Sequence, residues 1–314
     1  MKSRPFPLES IHSKKYAMSH TILVIGATGN VGHTLVELLA EQGSSVKAAT
    51  RHPETYTAAP GVEAVAFDYE KPETWSAALD GIGRLFLLAQ GAGNEPDQAM
   101  IPFLDQAQAA GVGSVVLMTA MGMDTAAMEA RGLRKVERHL MASGLAYTIL
   151  RPTWFMQNFT GYMGEMIQQQ GGLYMPTADA KSSFIDTRDI AAVAAAALTE
   201  DGHAGKEYTL TGPEALSFAE ALAILSDAAG RVIPYVAITE DDTRKALAGE
   251  GWPPVDIDMM LFLYNGVRQG WYAAVSPDVS AVLGRPPIAL RQFAEENAEA
   301  LIATAHEPKA TDRR

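Results

Sequence analysis

An apolar run at residues 22–25 breaks into Gly26-x-x-Gly29-x-x-Gly32, and apolar residues at helical spacing (Leu35, Leu38, Leu39) follow directly. This strand–glycine–helix order constrains the chain more than any other feature. The run reads as a buried parallel strand, and segment 33–42 as a helix. Glycines permit a tight turn and close approach of the backbone to a ligand, while a helix N-terminus presents free N–H groups with a partial positive charge. A dinucleotide pyrophosphate needs both, in this order.

Strand and helix signals keep alternating through the first half. Strands are expected at 45–50, 62–67, 84–89, 114–120 and 146–150, and helices at 72–79, 97–110 and 125–143. Gly111 and Gly144 close the last two helices. Such repeated units imply right-handed crossovers, hence an α/β fold with a doubly wound, Rossmann-type parallel sheet. After Pro152 the pattern changes, and aromatics and methionines thicken. Strands at 182–185 and 206–211, with an alanine-rich helix at 190–198 between them, should return to the sheet. Asp189 is expected to cap that helix. Helices at 217–229, 241–248 and 255–269, joined through 232–238, should form a smaller C-terminal substrate lobe. The expected organisation is a disordered leader at 1–18, a nucleotide-binding core at 19–153, a lobe at 154–306 with returning segments at 182–211, and a disordered tail at 307–314.

At 314 residues the chain suits one α/β unit with an appended lobe. Apolar residues make up 47%, yet no apolar stretch reaches the roughly 18–20 residues of a membrane span. The formal net charge of −12 repels a nucleic-acid backbone, and Arg131, Arg134, Lys135 and Arg138 are interleaved with Glu129 and Glu137 as on a solvated helix face. Cysteine is absent, which excludes disulfides and thiolate chemistry, and the seven histidines lack metal-ligand spacing, so no metal is expected. Residues 1–18 lack the apolar core of a secretory signal, and the protein reads as cytoplasmic. Self-association into a homo-oligomer stays open.

The second strand bears on the cofactor. In this kind of sheet an acid at its end bonds the 2′-hydroxyl of NAD, whereas arginine accommodates the 2′-phosphate of NADP. Here the strand runs into Arg51-His52, with no acid before Glu54, which favours NADP(H). Asp68, at the end of the third strand, is placed either to accept from the adenine amino group or to serve as a turn residue.

Gly26-Ala-Thr-Gly-Asn-Val-Gly32 and Ala142-Ser-Gly-Leu-Ala-Tyr-Thr-Ile-Leu-Arg-Pro-Thr-Trp-Phe-Met-Gln-Asn158 resemble the NmrA-like branch of the atypical short-chain dehydrogenases/reductases. Phe184-Ile-Asp-Thr-Arg-Asp-Ile-Ala191 and Val282-Leu-Gly-Arg-Pro-Pro287 continue the match, which spans residues 21–300. The resemblance implies a Rossmann-type fold and NADP(H) binding. The branch includes NADPH-dependent quinone, azo-dye and triphenylmethane-dye reductases, ergot-alkaloid reductases and non-catalytic sensors of nicotinamide redox state. By position it implies that Gly26, Thr28, Gly29, Asn30, Val31 and Gly32 hold the pyrophosphate and Arg51 the 2′-phosphate. Ala89, Gln90, Thr119 and Ala120 would flank the ribose and nicotinamide.

The chain departs from the wider superfamily at the catalytic pair. Aligned on Glu137, the positions of the usual Tyr-x-x-x-Lys carry Glu129 and Leu133, and 125–143 contains no tyrosine. Only Thr119 is left as a candidate hydroxyl, and the catalytic residues are otherwise unassigned. Hydride transfer to an electron-poor acceptor needs little positioned acid, because the product is already a stabilised anion or a neutral amine. Met121, Trp154, Phe155, Asn158 and Tyr162 are the candidate walls of an apolar pocket for such a flat aromatic substrate. The expected activity is therefore NADPH-dependent reduction of a bulky quinone-, iminium- or dye-like acceptor. The alternative is a non-catalytic NADP(H)-binding redox sensor or regulatory protein.

Overall fold

The computed structural model describes residues 21–89 and 95–303. The expected leader and tail, and Gln90, lie outside the described residues. In the first half β1 (Ile22–Val24), β2 (Val46–Thr50), β3 (Val62–Ala66), β4 (Arg84–Leu88), β5 (Ser114–Met118) and β6 (Ala146–Pro152) alternate with α1 (Asn30–Glu41), α2 (Trp75–Leu79), α3 (Asp97–Ala109) and α4 (Gly132–Ala142). The second half continues through α5 (Tyr162–Gln170), β7 (Leu173–Met175), β8 (Lys181–Ser182), α6 (Thr187–Thr199), β9 (Lys206–Leu210) and β10 (Leu216–Ser217). It then runs through α7 (Phe218–Ala229), β11 (Tyr235–Ala237), α8 (Glu240–Gly249), α9 (Pro254–Arg268), α10 (Asp278–Leu283), α11 (Leu290–Glu296) and α12 (Ala298–Ala303).

Seven strands form one parallel sheet in the order β3-β2-β1-β4-β5-β6-β9. The central strands β1, β4, β5 and β6 are covered on both faces, which is why they read as near-continuous apolar runs. Alternate side chains serve different layers. Ile22, Val24, Phe86, Val116 and Leu150 pack with α1 and α6, whereas Leu23, Leu85, Leu87, Val115 and Leu117 pack with α2, α3 and α4. The chain winds outward through β2 and β3, then returns to β4 beside β1. A crevice opens where the order reverses, beyond the carboxyl ends of β1 and β4. A third core, around Phe159, Phe184, Phe218 and Phe293, holds the lobe elements together. The Phe184 and Phe218 rings there meet edge-on, 5.1 Å apart.

Local expectations differ from the fold at several points. The helix expected at 125–143 is a 3-10 turn (Ala126–Met128) followed by α4, because Arg131 is extended and Gly132 starts the helix hard against the α3 N-terminus. A Cβ on Gly132 would stand 2.5 Å from Asp97 Oδ1 and 2.6 Å from Pro96 Cδ. Asp186, not Asp189, caps α6: its carboxylate accepts from the Arg188 amide. Asp189 lies buried in the first turn, where it accepts from the Ile288 amide at 2.7 Å and pairs with Arg285. Of 182–185, only Ser182 joins a ladder, antiparallel to β10, while Ile185 bridges Phe155.

Gly212 marks where the chain leaving β9 crosses the segment before α6. A Cβ there would sit 1.9 Å from the Phe184 carbonyl oxygen, a backbone atom that cannot step aside. Gly212→Ala is expected to lower stability by about 1–3 kcal/mol, read as a fall in urea midpoint with the slope unchanged.

Candidate functional site

Three glycines build the turn after β1, each for its own reason. Gly26 adopts φ +75°, which disfavours a side chain. Gly29 donates its amide to Gly26 O at 2.9 Å and stands at the N-cap of α1, where it brings no side chain to occupy the helix end. At Gly32 a Cβ would lie 2.1 Å from Gly26 O. The helix can therefore start against the strand only with glycine in that place. The first turn of α1 contains no acidic residue, so its amide dipoles face the crevice uncompensated.

The crevice is a cleft of about 800 Å³. It gathers Gly26, Thr28, Gly29, Asn30, Val31 and Gly32 with Arg51, Asp68 and Ala89. At one end stands Arg51, exposed and with no carboxylate partner among the described residues. Beside it His52 faces Glu54 at 3.3 Å. Asp68 is engaged as a turn residue, since its Oδ1 accepts from the Glu70 amide at 3.0 Å and its carbonyl from Trp75 Nε1 at 2.9 Å. Tyr69 forms the wall above it and donates to Leu88 O at 2.8 Å; burial raises its hydroxyl pKa. Met118 and Phe155 line the other end. A second cleft of about 440 Å³ also touches Thr28, Gly29 and Asn30 and extends to Gln157, Arg188 and Glu296. The shape and chemistry suit an elongated, polyanionic ligand laid across the strand ends. The acid-free first turn of α1, with its unpaired amides, fits a pyrophosphate.

Thr119 lies just beyond β5 and is buried. Its hydroxyl donates to Glu137 Oε1 at 2.6 Å. Glu137 is fully buried on the inner face of α4, where it also receives Arg151 Nε and Nη2, both at 2.9 Å, and Arg134 Nη1 at 2.7 Å. Every partner of Glu137 is a donor, so it acts as a carboxylate. Burial pulls the Arg151 guanidinium down, but Glu137, Glu207 and Asp124 more than offset this and hold it above the ordinary arginine value. Glu129 is exposed and clasped by Arg138 at 2.7 and 2.8 Å, which with Arg134 lowers its pKa. Leu133, on α4, is half-buried against the core formed with α2 and α3.

The remaining candidates lie on the lobe side. Ala120 and Met121 continue past β5, where the Met121 amide donates to Pro152 O at 2.9 Å. Trp154 stacks on Tyr264 with centroids 6.0 Å apart and planes 12° apart, and meets Phe218 and Tyr272 edge-on. Asn158 sits in the 3-10 turn Met156–Phe159, its amide donating to Phe155 O at 3.1 Å. The Tyr162 oxygen is enclosed close to that of Tyr264, without a hydrogen bond of ordinary geometry. Burial raises both hydroxyls, and it pushes Tyr272 up to about 12. Of these candidates, Phe155 alone is among the residues lining the larger cleft.

Residues 26–201 match the family described as NAD(P)H-binding. This chain belongs to that family. It is 39% identical over 285 residues to the NAD(P)H azoreductase of Xenophilus azovorans, covering 89% of this chain and 98% of that protein. It is 36% identical, over the same shares, to the (4-alkanoyl-5-oxo-2,5-dihydrofuran-3-yl)methyl phosphate reductase of Streptomyces griseus. The structure of an NADPH-dependent quinone oxidoreductase from Escherichia coli, complexed with NADPH, matches with a TM-score of 0.77 at 27% identity, covering 88% of this chain and 98% of that one. The chain is an NAD(P)-dependent oxidoreductase. No helix among the described residues is long and apolar enough to cross a membrane.

Met118, Leu88 and the pairing of Glu137 with Arg151 were not anticipated at the site. A signal for the pair exists: Glu137 falls between Val136 and Leu140 on an apolar helix face, and Arg151 ends an apolar strand. Opposite charges at two inward positions point to a buried ion pair. For the turn, Gly32→Ala is expected to raise the Kd for NADPH at least about tenfold, because the new Cβ forces the turn away from the helix end. Fluorescence titration of the bound reduced nicotinamide measures this.

Proposed function

We propose that this oxidoreductase uses NADPH to reduce a bulky, electron-poor, conjugated acceptor by direct hydride transfer, without a Tyr–Lys acid pair. In this reading the adenosine half lies toward Arg51, which holds the 2′-phosphate, and the pyrophosphate rests on the amides of Thr28, Asn30 and Val31. The nicotinamide lies toward Ala89, Met118 and Thr119. Bound there, the cofactor supplies a hydride from its ring. The protein's own part is to fix the ring at the strand ends, keep water from it with Met118, and seat the acceptor beside Phe155 on the lobe side of the cleft.

The observation that carries this reading is the commitment of Thr119. Its hydroxyl donates to Glu137 at 2.6 Å, and Glu129 and Leu133 face elsewhere, so none of these three positions offers an acid to protonate an alkoxide. An azo bond, a quinone and an acyl-substituted unsaturated lactone, the groups in the relatives' names, share one property. Each offers a conjugated double bond that can take a hydride at one atom and delocalise the resulting charge, so that water can complete the reaction. Met118 and Phe155, the apolar side chains at that end of the cleft, support a flat aromatic substrate of this class.

Two outcomes test the reading. Purified protein should oxidise NADPH in steady state with quinones or azo dyes and leave simple ketones untouched; turnover of ketones alone would overturn it. Arg51→Ala should lower the preference for NADPH over NADH by about tenfold or more, since charge-assisted hydrogen bonds to the 2′-phosphate are lost. An unchanged ratio of kcat/KM would remove Arg51 from the site.

A further inference from the structure

Thr50, Arg51, His52 and Thr55 line one end of the larger cleft together. The turn after β2 holds the His52 backbone from both sides. Its amide donates to Thr50 Oγ1 at 3.2 Å, and its carbonyl accepts from the Thr55 amide at 3.2 Å and the Thr55 hydroxyl at 3.1 Å. The ring is exposed, and its Nδ1 stands 3.3 Å from Glu54 Oε1. A carboxylate only accepts, so Nδ1 carries the proton, and in the neutral ring Nε2 keeps a lone pair. Among the described residues no other carboxylate pairs with this imidazole. Arg51 precedes it at the strand end, and β3, packed against the turn, carries Glu63. Asp68, Glu70 and Glu95 stand elsewhere on the cleft wall, Asp68 beside Lys71. From α1 comes Glu37, which pairs with His33 and acts on Tyr56.

We propose that His52 is a second ligand of the NADP(H) 2′-phosphate and ties the choice of NADP(H) over NAD(H) to pH, through a proton taken up when the phosphate binds. This rests on the reading that Arg51 marks the 2′-phosphate end of the cleft. An ionised phosphate ester only accepts hydrogen bonds. Neutral His52, its one N–H given to Glu54, offers that phosphate nothing but a lone pair, and the Glu54 charge repels it. The imidazolium keeps the bond to Glu54, offsets that charge and leaves Nε2–H as a donor on the cleft wall. The proton comes from solvent to Nε2 and returns there when the cofactor leaves. In the free protein Arg51 opposes a second positive charge beside it, and a bound phosphate removes that opposition. The complex therefore holds the proton to higher pH than the free protein does. The added affinity is present in acid and is lost as pH rises through the value of the complex. Arg51 stays charged throughout and supplies the share that does not vary. NAD(H) brings no phosphate and draws no proton to the ring.

Calorimetric titration with NADP⁺ and NAD⁺ tests this, on the wild-type protein and on His52→Ala. It is run at about pH 6 and about pH 8.5, toward the two ends of the range in which histidine titrates. The phosphate itself titrates at about pH 6, but equally for both proteins, so comparing their NADP⁺/NAD⁺ preferences isolates the imidazole. The wild-type preference should exceed that of His52→Ala about threefold to tenfold at the lower pH and match it at the higher. His52→Asn, which donates at every pH, should exceed His52→Ala by a similar factor at both. In buffers of different ionisation enthalpy, the wild-type protein should take up more protons than His52→Ala on binding NADP⁺, and no more on binding NAD⁺. A wild-type advantage that is the same at both pH values, or equal proton uptake by the two proteins, overturns the inference and leaves the cofactor reading standing. A wild-type protein with no preference for NADP⁺ at either pH removes the 2′-phosphate from this end of the cleft, and the inference with it.

Discussion

A fully buried carboxylate is costly unless donors surround it, and Glu137 is surrounded. Arg134 comes from its own helix, Thr119 from the end of β5 and Arg151 from β6. Arg151 then reaches Glu207 on β9 at 2.6 Å. One charge thus ties together the helix and the strands whose carboxyl ends form one end of the cleft. Replacing such an array by well-packed apolar side chains is often neutral for stability, so its value here lies in specification. It sets where β5 ends, which way Thr119 points and how the late strand β9 joins a sheet whose other strands come from the first half.

The other end of the cleft depends on a contact with no side chain in it. Gly32 against Gly26 O lets α1 begin at the strand, and this brings its unpaired amides to the crevice. The chain as a whole carries −12, so an anionic cofactor meets a repulsive average field. Attraction must be local. It comes from the helix end, kept free of acids in its first turn, and from Arg51, which no described carboxylate neutralises.

How much of this was legible in the chain follows from how local each feature is. Strands buried on both faces announce themselves as apolar runs, so β1 to β6 fell close to their expected places. The glycine turn, Arg51 and Asp68 are read from neighbours in sequence, and the structure gathers them along one cleft. The lobe was less legible. The helix Tyr162–Gln170, the three-residue parallel pairing of β7 with β11, and the short helices α10 and α11 were not anticipated, because each is too short to show a period and is held by tertiary packing. Trp154 and Phe155 show the same limit at the scale of one residue. Neighbours in extended chain point opposite ways, so Phe155 turns to the cleft and Trp154 to the lobe core, and only the register of the backbone decides which. The break before α4 arose from a contact with α3 that no helix signal contains.

The same buried charge that organises the strand ends also narrows the chemistry. Reducing a ketone makes an alkoxide far too basic to leave without a positioned proton, and short-chain dehydrogenases meet that need with an activated tyrosine. Here the corresponding helix offers Glu129 to solvent arginines and Leu133 to the core, and it aims Glu137 at the one hydroxyl nearby. In the proposed reaction, electrostatic help at the reacting atoms comes from the acceptor itself, through delocalisation of the incoming charge. What the protein contributes is orientation: near-attack geometry removes much of the entropic barrier before any proton moves. A site built this way discriminates among acceptors by their electronic poverty and flatness more than by any single polar group. The proposed mode of discrimination is compatible with relatives named for an azo bond, a quinone and an unsaturated lactone.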